Sequence, residues 1–276
     1  MIKSIKNVKN EILLFQGSIE LKPGLNLIGG GNGVGKTTLL KEISLWSRSK
    51  GRHKDESRIA GLFSTEETLR AEAARYLKVD VQADEDAGRC LFWQNAKDNH
   101  RYAKPDFFSP DMGQISRYYD AGERSEGENV AVSLVSWLER LAVTKEDILL
   151  LDEIDSGLSV DACNGVLRAL LQLVKGIGCQ VIVTCNSFHF PYVCGGMINL
   201  LDGSYVEFNR SYEEFCKFSY ANAKRLLPIR EKARRREARE QAAAARKEAA
   251  LRKRERASRE KFFGSLSRVQ RKSGAT

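Results

Sequence analysis

The sequence lacks most of the features that would assign it to a metal centre, a secreted scaffold or a membrane. Histidine occurs only three times in 276 residues. The six cysteines (Cys90, Cys163, Cys179, Cys185, Cys194, Cys216) form no C-x-x-C pair and no cluster with histidine, which argues against a zinc site. Most of them stand among apolar neighbours, the pattern of buried free thiols in a reducing compartment. No apolar run approaches the roughly 18 residues that a spanning helix needs. The first residues, MIKSIKNVKNEILLF, alternate like a strand and lack the apolar centre of a signal peptide. A soluble, cytoplasmic protein is expected, with ample chain for a sizeable core.

Charge is present but unevenly placed. The formal net charge is +9, yet residues 229–276 hold 17 Lys or Arg against 6 Asp or Glu, leaving the first 228 residues at −2. A near-neutral globular body, residues 1–228, thus carries a basic tail, residues 229–276, and each calls for its own explanation. From Arg230 to Lys261 the tail is almost entirely Arg, Lys, Glu, Gln and Ala, strong helix formers. The pairs Glu231–Arg235, Glu248–Arg252 and Glu255–Arg259 stand in the favourable i,i+4 order. With no apolar stripe the expected element is a solvated basic helix and not a coiled coil. Two uses fit. One is binding of nucleic acid, where about 3 to 8 phosphate contacts would make affinity steeply salt-dependent. The other is a charged tail that aids solubility or docks on an acidic partner. Phe262, Phe263, Leu266 and Val269 offer a small anchor for another subunit.

The most specific segment is GGNGVGKTT, spanning Gly30, Gly31, Asn32, Gly33, Val34, Gly35, Lys36, Thr37 and Thr38. Its G-x-x-x-x-G-K-[ST] spacing turns successive backbone N–H groups around a phosphate chain, extends Lys36 to the outer phosphates and leaves the Thr37 hydroxyl for Mg²⁺. A buried strand over Leu25–Ile28 should precede it and a helix over Thr38–Trp46 follow, its N-terminus facing the same anion. A glycine-rich turn without a ligand is the plain alternative. Further on, ILLLDE (Ile148–Glu153) reads as a buried strand ending in two carboxylates at the sheet edge where open α/β sheets bind ligands. There Asp152 would orient Mg²⁺ and Glu153 would polarise an attacking water; a strand running into an acidic turn looks similar.

Elsewhere a coarse pass predicts a polar loop over Ser47–Asp55, a helix over Thr65–Tyr76, a strand over Arg89–Gln94 and irregular chain over Asn95–Asp120. A helix over Asn129–Leu141 is expected, with Val132, Val135, Leu138 and Leu141 on one face. A crossover helix over Asp161–Lys175 leads to a central strand, Gln180–Thr184, then a hairpin over Met197–Asn209 turning at Asp202–Gly203. Pro228 is expected to close the body.

Before the Asn129 helix stands ERSEGEN, Glu123–Asn129. Ser125, Gly127 and Glu128 resemble the signature motif of ATP-binding cassette (ABC) ATPases, although a helix N-cap followed by glutamate has the same look. SGLSVD (Ser156–Asp161) resembles that family's D-loop, with Ser159 at the usual aspartate position and Asp161 two residues later. The motifs arrive in family order over roughly residues 1–210.

The resemblance implies an α/β fold, a P-loop ATPase of the ABC type with a small antiparallel β subdomain and a helical subdomain, here followed by the basic helix. It implies ATP and Mg²⁺, and a homodimer with two ATP sandwiched so that Ser125, Gly127 and Glu128 complete the partner's site. It also implies a glutamine near the metal, for which Gln94 is preferred over Gln82 and Gln114. Arg101 reads as an exposed charge or an interface arginine. Where the family places a γ-phosphate-sensing histidine, this chain has Cys185–Asn186–Ser187, with His189 too late. Asn186 can donate an amide hydrogen bond but cannot carry a proton, so slow hydrolysis is expected.

The 88 residues from Thr37 to Ser125 leave no room for a long coiled-coil arm. Three roles remain open: a switch or clamp in a nucleic-acid, defence or mobile-element process, as in small stand-alone ATPases; the nucleotide-binding subunit of a transporter; and an ATP-gated scaffold that hydrolyses little and holds an effector such as a nuclease.

Overall fold

The computed structural model describes residues 1–51, 71, 74–100, 112–141 and 143–273. In chain order its elements are β1 (Ile2–Asn7), β2 (Ser18–Glu20), β3 (Leu25–Gly29), α1 (Lys36–Ser49), β4 (Val79–Ala83), β5 (Cys90–Gln94), α2 (Asn95–Asp98) and α3 (Met112–Gly122). There follow α4 (Glu126–Arg140), β6 (Ile148–Asp152), α5 (Val160–Ile177), β7 (Gln180–Thr184), α6 (His189–Cys194), β8 (Gly196–Asn199), β9 (Tyr205–Glu207) and α7 (Tyr212–Ser273). Arg101 and most of the expected Thr65–Tyr76 helix lie outside the described residues.

Two sheets organise these elements. The smaller is antiparallel, β2–β1–β4, with Ile2, Ile5 and Ile19 fully buried. The larger has the order β5–β6–β7–β3–β8–β9; the first five strands are parallel and β9 folds back antiparallel on β8. Every residue of β6 and β7 is buried, as strands covered on both faces require. Their side chains build the core: Leu149, Leu151, Val181 and Val183 cluster with Trp93, Leu167, Leu170 and Phe190.

Register is what positions the site. Gln94 pairs with Asp152, Leu151 with Val183 and Ile28 with Thr184, so β5, β6, β7 and β3 all end at one edge. Strand β7 lies between the strand that feeds the glycine-rich loop and the strand that ends in the carboxylates.

Four local expectations are corrected by tertiary contacts. Helix α1 runs through Ser47, expected in a loop, because the fully buried Ser47 Oγ accepts the Cys90 N–H at 3.0 Å. Within the supposedly irregular Asn95–Asp120 stretch, α2 and α3 are helical. Helix α4 buries Val130, Ser133 and Leu134 and leaves Val132 and Val135 exposed. Its apolar residues lie on more than one track of the helix, and packing against α2, α5 and the core cluster selected the Val130–Leu134 track. Helix α7 passes through Pro228 without ending there.

By compactness the chain divides into residues 1–222 and 223–276. In the second unit Glu231 pairs with Arg235 at 3.8 Å and Arg236 with Glu240 at 2.8 Å, all with exposed side chains. Such pairs steady an isolated helix by only a few tenths of a kcal/mol each, so composition and propensity carry this segment.

His100 provides a pH test of the first unit. Burial holds its imidazole below the usual range, and Arg117, Arg140 and Arg124 act in the same direction. Its Nδ1 is buried with no partner among the described residues. A depressed pKa means that the fold accommodates the neutral ring. The stability it contributes is present above the ordinary value near pH 6.5 and is lost as pH falls through the lower folded value. Melting is expected at a lower temperature at about pH 5 than at about pH 7.5, and His100→Asn should narrow that difference.

Candidate active site

The glycine-rich loop leaves β3 and enters α1. Gly33 and Gly35 hold φ of 80° and 98°, the left-handed region that side chains resist. Gly35 is the N-cap of α1 and supplies no side-chain cap, so the first N–H groups of a 14-residue helix stay available to an anion. Lys36 is buried, and its Nζ donates to Gly30 O at 3.0 Å. Burial lowers the Lys36 pKa, and Glu153 is the foremost of the anionic groups that oppose the shift.

The carboxylates converge on this loop. Thr37 Oγ1 donates to Asp152 Oδ2 at 2.8 Å, and Thr184 Oγ1 donates to Asp152 Oδ1 at 2.7 Å. Thr184 Oγ1 also accepts the Glu153 N–H at 3.0 Å. Glu153 adopts φ of 53°, rare for a residue with a side chain, and that turn is where the carboxylate strand ends. Asn186 Nδ2 donates to Glu153 Oε1 at 3.3 Å. Cys185, one residue earlier, is buried beside Ile28 O, and burial pushes its thiol far above the usual range. Asn186, not Cys185, is therefore the residue of this segment whose side chain reaches Glu153.

The donor set fits Mg²⁺. That ion prefers a few hard oxygens and completes its shell with phosphates and water, and the Thr37 hydroxyl beside the Asp152 carboxylate is such a pair. Gln94 is buried at the end of β5, directly across from Asp152. Gln82 lies in β4 of the small sheet, accepting from Ser4 Oγ at 3.3 Å, and the Gln114 side chain is outside the description.

The Ser125–Glu128 segment caps α4 reciprocally. Ser125 Oγ accepts the Glu128 N–H at 3.3 Å, and Glu128 Oε2 accepts the Ser125 N–H at 2.8 Å. The same helix start is docked on the loop after β6. Ser156 Oγ donates to Glu126 Oε1 at 3.1 Å, and a Cβ on Gly127 would stand 2.4 Å from Gly157 O. Ser159 is the N-cap of α5, accepting from Ala162 N at 3.3 Å, with Asp161 in the first turn.

Thus the structure joins Lys36, Thr37, Asp152, Glu153 and Asn186 in one neighbourhood, with Gln94 paired beside Asp152. It pairs Ser125 with Glu128 in a cap and ties the intervening Glu126 and Gly127 to the 156–157 loop. Thr184 and Asp155 were missed by sequence reasoning. A threonine closing a wholly apolar strand was the available signal for the first; nothing in the spacing distinguished the second.

A glycine-rich loop opening a helix, an Asp-Glu strand end beside it, and a small antiparallel sheet against a parallel one give a P-loop fold of the ABC type. The chain belongs to the family described as an AAA domain, whose profile matches residues 2–163. No curated protein matches the sequence. Among solved structures, CbiO1 from Clostridium perfringens, part of the ABC transporter complex CbiONQ, is 17% identical over 83% of this chain and 98% of its own, with a TM-score of 0.38. A nucleotide-free ATP-binding cassette from an ABC transporter is 16% identical over 80% and 96%, with a TM-score of 0.40. The dimeric post-hydrolysis cassette MJ0796 with ADP and Pi is 14% identical over 77% and 100%, with a TM-score of 0.40. Among the described residues no helix is long and apolar enough to cross a membrane.

Proposed function

We propose that the chain is a slow ATP hydrolase that dimerises around ATP and serves as a switch or clamp acting on nucleic acid. One observation carries the ATPase reading: both oxygens of Asp152 are held by hydroxyls, Thr37 from the glycine-rich loop and Thr184 from β7, and Thr184 also holds the Glu153 backbone. Loop and carboxylates are thereby one hydrogen-bonded unit.

In this reading the α1 N-terminus and Lys36 hold the β- and γ-phosphates, and Thr37 and Asp152, with Gln94, hold Mg²⁺. When bound, the ion neutralises charge that develops on the phosphates. Glu153 orients water for in-line attack on the γ-phosphorus, and Lys36 stabilises the charge that builds there. Asn186 stands by Glu153 as a hydrogen-bond donor without a titrating proton, which supports slow turnover.

The nucleic-acid part rests on the exposed basic side chains of residues 230–248. Turnover by the full chain is compared with that of Lys36→Ala. Equal rates overturn hydrolysis and favour the ATP-gated scaffold. For the tail, DNA and RNA retention is measured across a salt titration for the full chain and for a chain ending at Leu227. Retention should fall steeply with salt and be lost on truncation, with a log–log slope of about −3 to −7. Equal retention by both chains would remove the nucleic-acid role.

A further inference from the structure

Beyond the groups that would touch nucleotide, one buried carboxylate is bonded to the segment that supplies Asn186. Asp155 is 7% exposed. Its Oδ2 accepts two backbone N–H groups, from Asn186 at 2.7 Å and from Ser187 at 2.6 Å. These bonds are short and charge-assisted, the strong class of hydrogen bond. They join the loop after β6 to the loop after β7.

We infer that Asp155 is a positioning residue of the ATPase site: it clamps the Asn186–Ser187 backbone so that the Asn186 amide meets Glu153. The assignment rests on the ATPase reading above. The geometry gives the reason. Asn186 is itself solvent-exposed, and its side chain reaches Glu153 Oε1 across a 3.3 Å contact that is too weak to order a loop. Glu153 in turn stands in a left-handed turn. A donor and an acceptor on two separate loops need a common support, and Asp155 stands two residues after Glu153 while bonding to Asn186 itself. Its charge also opposes, after that of Glu153, the burial that lowers the Lys36 pKa.

Two kinds of readout test this in the full chain. Hydrogen exchange at the Asn186 and Ser187 amides needs no turnover. It should quicken about tenfold or more in Asp155→Ala, and less in Asp155→Asn, which keeps an acceptor but loses the charge. Wild-type exchange at both amides in these variants overturns the clamp.

In turnover assays Asp155→Ala should lower kcat about tenfold or more, with affinity for a non-hydrolysable ATP analogue within about threefold. In an Asn186→Ala background the same change should cost nothing further; an equal further loss overturns action through Asn186. Should Asp155→Ala fail to fold, Asp155→Asn carries both readouts with smaller changes. If wild type turns over no faster than Lys36→Ala, the ATPase reading has failed, while the exchange rates still decide whether Asp155 holds the loop.

Discussion

Glu153→Gln is expected to lower ATP turnover by about 100-fold or more, the range lost with a general base, while ATP affinity stays within about threefold. Glutamine has nearly the same shape and retains an acceptor oxygen for the Asn186 amide. The bond to Thr184 Oγ1 uses only the backbone N–H of residue 153 and survives. What disappears is the negative charge that would align and polarise water. A second consequence follows from Lys36. Glu153 is the first of the charges opposing the burial that lowers the Lys36 pKa. Without it that pKa falls further, so ATP affinity of the variant should weaken at a lower alkaline pH than that of wild type. With hydrolysis blocked, ATP and Mg²⁺ should accumulate a dimer, read as a doubling of mass by light scattering. A variant that stays monomeric in ATP would end the sandwich reading.

Gly127→Ala should be among the most damaging one-methyl changes in the body. The added Cβ would meet Gly157 O at 2.4 Å and Leu158 Cα at 3.1 Å, both backbone atoms that cannot swing aside. Helix α4 must back away from the loop after β6, stretching the Ser156–Glu126 bond that joins them. Overpacking of this kind costs about 1–3 kcal/mol. The same displacement would move the Ser125 cap, so ATP-dependent dimerisation should fall as well. Gly165→Ala in α5 is the matched comparison: its Cβ meets nothing within 4 Å, and an alanine inside a helix gains about 0.4–1 kcal/mol. Denaturant melts should therefore move in opposite directions, and a Gly127→Ala protein as stable as wild type would remove the close-approach argument.

The contrast between those two glycines shows how legible the chain was. Motif spacing found the loop at Gly30–Thr38 and the pair Asp152–Glu153, because phosphate binding needs consecutive residues that a sequence displays side by side. Thr184 escaped, although it bonds both Asp152 and Glu153, because it belongs to the strand between them and the glycine-rich loop. Asp155 escaped for the same reason: its partners, the Asn186 and Ser187 N–H groups, lie 31 and 32 residues away. The α4 face was misread because periodicity favoured the Val132–Val135–Leu138–Leu141 track, whereas packing against α2, α5 and the core cluster buried Val130 and Leu134.

By itself, then, the sequence determined the parts whose chemistry is local: the left-handed turn that glycine favours at Gly33 and Gly35, the continuous apolar strands β6 and β7, and the helix-forming composition of residues 230–261. Tertiary structure decided the parts that depend on strand order and register. With β7 between β3 and β6, Thr184 braces Asp152 and the Glu153 backbone while Thr37 ties Asp152 to the phosphate loop, and Asn186 rather than Cys185 reaches Glu153. Those bonds form only where strand ends 31 to 115 residues apart meet at one edge, a proximity set by packing of the whole sheet and carried by no segment alone.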